Sequence, residues 1–122
     1  MEQEIIIKKY FDAWINKDVD AVESIISDRI TYSECYGPEY RGINQVITWF
    51  NNWNQNGNVL KWDIKQFIHQ DNITVVEWYF ECDYNKTIAG FDGVSIVEFD
   101  AGKIINIKEF QSKAEHSFPY GE

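Results

Sequence analysis

Apolar side chains fall at helical spacing in the first half of the chain and at every second position through most of the rest. From Glu4 to Asn16, Ile6, Ile7, Tyr10, Phe11, Trp14 and Ile15 line one stripe, with Lys8, Lys9 and Asp12 opposite, which predicts an amphipathic helix. Asn16-Lys17-Asp18 breaks it, and Asp18 is placed to cap a second short helix carrying Val19, Val22, Ile25 and Ile26. Between Arg29 and Tyr36 the period becomes two, a strand that Gly37-Pro38 ends. Val46, Ile47, Phe50 and Trp53 stripe a third helix from Ile43 to Gln55, with Gly57 expected as its left-handed cap. Period two then persists. Strands are predicted over Val59–His69, Ile73–Tyr84, Thr87–Phe99 and Ile104–Lys113, joined by turns at Asp71-Asn72, Asn85-Lys86 and Asp100–Lys103. Gly90 and Gly93 mark a bend or bulge, and His116–Glu122 a loose tail. Helices followed by long antiparallel strands give an α+β class in one domain, residues 1–122, without linkers or repeats.

Composition narrows the function. The 122 residues carry 11 Lys plus Arg against 20 Asp plus Glu, a net charge of −9 that excludes a nucleic-acid partner from the expectations. No apolar run reaches the roughly 20 residues of a membrane helix. The start MEQEIIIKKYFDAW has no basic leader and no small-residue cleavage site. The expectation is a cytoplasmic protein without a membrane partner. Cys35 and Cys82 are too few for a disulfide framework and sit in no CxxC pair, so they read as buried, reduced thiols. His69 and His116 lack metal-ligand spacing, and His69 reads as an exposed turn residue. No GxGxxG, GxxxxGK[ST] or Ser-His-Asp pattern stands out; neither metal nor cofactor is expected. Aromatic residues make up 16% of the chain, 5 tryptophans among them, more than packing alone usually requires.

Tyr10-Phe11-Asp12-Ala13-Trp14 followed by Asn16-Lys17-Asp18-Val19-Asp20-Ala21-Val22 resembles the opening of SnoaL-like proteins. These belong to the nuclear transport factor 2-like (NTF2-like) superfamily, which also holds the ketosteroid isomerases. Tyr40-Arg41-Gly42, Phe91-Asp92-Gly93-Val94-Ser95 and Gly102-Lys103-Ile104 extend the likeness from Ile5 to Lys113. The resemblance implies a cone, with three N-terminal helices packed on a strongly curved antiparallel sheet that encloses a pocket. It also implies a homodimer through the outer sheet face. It leaves the reaction open, because the superfamily includes isomerases, polyketide cyclases, dehydratases, epoxide hydrolases and proteins without catalysis.

An ungapped match to the isomerases puts Tyr10 at their oxyanion-hole tyrosine and Glu34 at their general base. Desolvation raises a carboxylate that faces an aromatic pocket toward a useful range, and a phenol opposite can hold a developing enolate. Structural readings stand beside both: Glu34 as an ion-pair partner of Arg29 or Arg41, and Tyr10 as a core aromatic. The isomerases' second, protonated carboxyl is missing, since Ser95 stands at its position. Asp92, three residues earlier, fits either an acid or a bend held by its own backbone bonds. The expected walls are Trp14, Tyr32, Tyr36, Trp53, Trp78 and Phe80, with Phe91, Asp92, Ser95 and Phe110 completing them; about one or two tryptophans are expected to reach the ligand. Val75, Tyr79, Ile105 and Ile107 are expected to form the apolar outer face of the homodimer. Function is therefore expected to centre on a pocket for a small hydrophobic molecule. The chain is then a cofactor-independent isomerase- or cyclase-type enzyme with a carboxylate base acting on a carbonyl compound, or a non-catalytic ligand-binding or interaction module of the same fold.

Overall fold

The computed structural model describes residues 2–121. Helix α1 (Glu2–Asn16) buries Ile7, Tyr10, Phe11, Ala13 and Trp14, the stripe read from the pattern. Lys17 takes a left-handed φ of 56°, which ends it. The Asp18 carboxylate then accepts the Ala21 N–H at 3.1 Å and starts α2 (Val19–Ile25). That helix runs straight into β1 (Ile26–Ser33), so Ile26 is the first strand residue and not a helical one.

β1 also stops earlier than its alternation suggests. Glu34 to Pro38 form a tight turn, with the Glu34 N–H donating to Pro38 O at 3.0 Å and the Gly37 N–H to Glu34 O at 3.1 Å. Gly37 sits at φ 112°, which L side chains rarely adopt. The chain returns as β2 (Glu39–Arg41), too short to show a period, and α3 (Ile43–Asn56) follows. Gly57 is not a left-handed cap. It is extended (φ −129°, ψ 157°) and opens β3 (Gly57–Gln70); a Cβ there would lie 2.8 Å from the Trp53 and Tyr84 rings.

β4 (Ile73–Tyr84), β5 (Thr87–Asp100) and β6 (Lys103–Ser112) complete one sheet in the order β2-β1-β6-β5-β4-β3. Only β1 and β6 pair in parallel. The hairpin turns expected at Asn85-Lys86 and Ala101-Gly102 have positive φ at both central residues, as a tight two-residue connection requires. β5 is unbroken at its glycines. Gly93 lies opposite Trp78, and a Cβ there would stand 2.3 Å from the indole, so the missing side chain makes room for the ring.

Bulges bend the sheet around the helices: two register shifts interrupt β3, and one falls in β6 between Ile104 and Asn106. The β6 bulge inserts Ile105, so Ile104 and Ile107 both point into the core at 0% and 2% exposure. Ile107 is thus a core residue, contrary to its expected place on the outer face. At this end of the sheet His69 is half-buried, not an exposed turn residue. Its Nε2 lies 2.6 Å from Glu4, and its Nδ1 lies 2.9 Å from Thr74 Oγ1, which itself donates to Gln3 Oε1 at 2.5 Å. These contacts tie the start of α1 to the β3–β4 hairpin.

Candidate functional site

Inward positions on β4 run Thr74, Val76, Trp78, Phe80, Cys82, and those on β5 run Phe99, Val97, Ser95, Gly93, Phe91. Past the level where Val76 pairs with Ser95, the larger inward side chains of both strands are aromatic: Trp78 and Phe80 on β4 and Phe91 on β5. Beyond that level a pocket opens, a cavity of ≈ 70 Å³ beneath a wider mouth. Trp14 comes from α1, Trp49 and Trp53 from α3, Trp62 from β3, Trp78 and Phe80 from β4 and Phe91 from β5. Tyr32 of β1 and Cys35 and Tyr36 of the following turn close the ring. Tyr32, Trp78, Trp14 and Trp62 are at most 8% exposed and form the deep wall, while Tyr36 at 62% marks the mouth.

All 5 tryptophans line the cavity, more than the sequence suggested. Geometry explains the open space. Trp62 and Trp78 meet edge to face at 5.7 Å and 89°, Trp14 and Trp53 at 5.6 Å and 80°, and rigid rings propped on edge do not collapse into the gap between them. Among the described residues, the wall contains no aliphatic and no cationic side chain.

Two carboxyls enter this aromatic enclosure, Glu34 and Glu109. Parallel pairing sets Ser33 of β1 beside Lys108 of β6, so the residues that follow each, Glu34 and Glu109, arrive as neighbours. Glu109 also lies directly across the β5–β6 pairing from Ser95. Glu109 thus brings a carboxyl to the level of Ser95 from the adjacent strand. Glu109 as a residue is only half-buried, but its carboxyl end is shut away from bulk water. Desolvation pushes its pKa up to about 8, and the charge of Glu34 adds to the rise. The Tyr32 hydroxyl, donating to Oε2 at 2.6 Å, and the Cys35 backbone N–H counter it in part. Glu34 is also raised by desolvation, opposed by the Tyr40 hydroxyl that donates to it at 3.4 Å.

Tyr10 is set one shell back from its expected position. It is 2% exposed, does not line the pocket, and donates at 2.8 Å to the Tyr32 hydroxyl, which passes the chain to Glu109. Burial holds both phenols well above the usual tyrosine range. Glu34 pairs with neither Arg29 nor Arg41, whose partners are Asp100 and Glu39. Trp14, Tyr32, Tyr36, Trp53, Trp78, Phe80 and Phe91 stand in the wall; Asp92, Ser95 and Phe110 do not. Asp92 bonds Lys65 at 2.8 Å on the other face of β5, Ser95 is buried and accepts the Trp78 indole N–H at 2.9 Å, and Phe110 is 55% exposed. The β6 bulge accounts for Phe110: counting by twos from Ile104 puts Phe110 inward, whereas the inserted residue turns Ile107 and Glu109 in. The apolar run Ile104-Ile105-Asn106-Ile107, apolar on both parities, was the available signal.

The indole N–H groups of Trp14 and Trp62 are sealed from solvent without a protein acceptor; that of Trp14 lies near the Tyr10 hydroxyl but closes no hydrogen bond. Both thiols are raised by desolvation, Cys35 to about 12, which keeps them protonated. Among the described residues no group of His, Cys, Asp and Glu could hold a metal ion, and no helix is long and apolar enough to cross a membrane.

The profile of the SnoaL-like domain matches residues 7–107. No curated protein matches this chain. Solved structures share the fold across most of the length. An LEH-like epoxide hydrolase from M. tuberculosis is 16% identical with a TM-score of 0.83, covering 91% of this chain and 83% of that one. A candidate polyketide cyclase from Xanthomonas campestris is 12% identical with a TM-score of 0.76, covering 91% and 90%. An NTF2-like protein of unknown function from Burkholderia pseudomallei is 13% identical with a TM-score of 0.78, covering 92% of each.

Proposed function

Since the chain belongs to the SnoaL-like family and has its NTF2-like α+β fold, we propose that it is a cofactor-independent acid–base enzyme acting on a small, largely apolar carbonyl compound. One observation carries this reading: Glu34 and Glu109 share an aromatic pocket in unequal surroundings. Paired carboxyls whose environments separate their pKa values divide into a base and an acid. Glu34, less strongly raised and nearer the mouth, removes the proton next to the carbonyl. Glu109 is protonated at neutral pH. Its Oε2 accepts from Tyr32, leaving Oε1 to donate to the oxygen on which charge develops. Tyr10 supports this donor through Tyr32.

The experiment is α-proton exchange in deuterated water, followed by NMR over a panel of small cyclic ketones. Glu34→Gln is expected to lower exchange by about 10²–10⁴-fold, the usual span of general acid–base catalysis. A Gln variant that exchanges at the wild-type rate excludes Glu34 as the base. A homodimer through the outer sheet face belongs to the same proposal, supported by the half-exposed Val75 and Ile96, which pair across β4 and β5, and by exposed Ile68 on β3. Sedimentation at tens of micromolar tests it, and a monomer there removes it.

A further inference from the structure

The composition of the wall says more than apolar burial requires. Area for area, aliphatic side chains bury hydrocarbon as well as aromatic ones do, and the other half of this molecule uses them freely: Ile7, Val22, Val46, Val76, Val97 and Ile107 are each at most 2% exposed. Around the pocket the choice is one-sided. Among the described residues, nine rings and two carboxyls line it, with no Leu, Ile or Val and no Lys, Arg or His. Ring faces carry negative potential, so a cation gains from them what a neutral group of the same shape does not. Two carboxyls confined in a cavity of low dielectric oppose each other's ionisation, and a bound monocation removes that opposition. The molecule as a whole, at −9, draws cations toward the opening.

We propose that the ligand of this pocket carries a small alkylated ammonium group, seated against Trp49, Trp53, Phe80 and Phe91 with Glu34 as its counter-charge. These four rings are the half-exposed members of the wall and pack directly on the sealed rings of Tyr32, Trp78 and Trp14. Alkylation follows from the scarcity of acceptors there. A primary ammonium brings three N–H donors that need oxygen partners, whereas a methylated nitrogen presents C–H surface that rings accommodate. The inference names the substrate class for the acid–base reading and rests on the same pocket, but it needs no turnover. An ammonium beside Glu34 also holds that carboxyl in the ionised form a base requires.

Choline and 3,3-dimethylbutan-1-ol differ in one atom, a charged nitrogen in place of a carbon. Each is titrated into the native protein, followed by tryptophan fluorescence and calorimetry. Choline is expected to bind at least about tenfold more tightly than the alcohol, in line with a desolvated cation–π contact. Glu34→Gln and Trp53→Leu are each expected to weaken choline by about fivefold or more and to leave the alcohol within about twofold, with near-UV circular dichroism confirming the fold. Equal or tighter binding of the alcohol overturns the inference, as does absence of choline binding up to tens of millimolar. Either result leaves the acid–base reading to its own exchange assay. Conversely, a choline preference without proton exchange upholds the cation site and removes the enzyme reading.

Discussion

Two halves of one core are built from different materials. Toward the β3–β4 hairpin the sheet and helices meet through Ile7, Val22, Ile26, Ile30, Val76, Val97, Ile104 and Ile107, all buried to 2% exposure or less. Toward the β1–β2 turn they meet through rings, and the space between those rings remains open. Branched aliphatic side chains interdigitate to the density of a crystal. Flat rings joined by two torsions stand against each other at steep angles and leave gaps. Folding is therefore secured at one end while a cavity is held open at the other. Glu109 of the acid pair sits at the boundary itself, where it pairs with Ser95.

Truncation should separate the halves most clearly. Ile107→Ala is expected to cost about 2–5 kcal/mol, as buried large-to-small changes do. Phe91→Ala, in the half-exposed pocket wall, is expected to cost less than half of that while widening the cavity. Urea denaturation of both variants reads the difference, and equal losses would mean that the wall is ordinary core. Gly93→Ala tests the boundary itself. The added methyl meets the Trp78 ring and should cost about 1–3 kcal/mol as an overpacked site, with a shift in tryptophan fluorescence as the ring moves. Smaller again is His69→Ala at the closed end. It removes two hydrogen bonds and is expected to cost about 1–2 kcal/mol without changing ligand affinity.

Much of this division was legible in the chain. The stripe of α1, the Asp18 cap and the limits Ile73 and Tyr84 of β4 follow from spacing and turn chemistry alone. The aromatic character of the alternate positions Trp78 and Phe80 announced a ring-lined face. What remained hidden depends on register between strands distant in sequence. A single inserted residue in β6 reversed the inward parity, concealed Glu109 and sent Phe110 outward. Parallel pairing of β1 with β6, which brings Glu34 and Glu109 together, has no local signature at all. Tyr10 illustrates a third limit: its helix face was clear, but Tyr32 of β1 lines the pocket and accepts a hydrogen bond from the Tyr10 hydroxyl, a contact between distant elements that sequence spacing does not reveal.

Glu109 should also leave its mark on stability. Its pKa is about 8 when folded and lies in the ordinary carboxylate range when unfolded, so the native state holds the proton more tightly. The stability contributed is fully present below about pH 4.5 and is lost as pH rises through the folded pKa near 8. Wild-type protein should thus weaken between pH 5 and 8 in chemical denaturation, and Glu109→Gln should flatten that slope. An unchanged slope in the variant would assign the loss to other groups.

The central claim is that a neutral carboxylic acid and a carboxylate share the aromatic half of the core. Carbon-13 NMR of the side-chain carboxyls of glutamate, followed against pH, addresses it directly. One resonance is expected to titrate near pH 8, to vanish in Glu109→Gln, and to move to lower pH in Glu34→Gln, because the charge of Glu34 contributes to the rise. Titration of every glutamate carboxyl below about pH 5.5, within the spread of ordinary carboxylates, would contradict the account and leave the pocket without its proton donor.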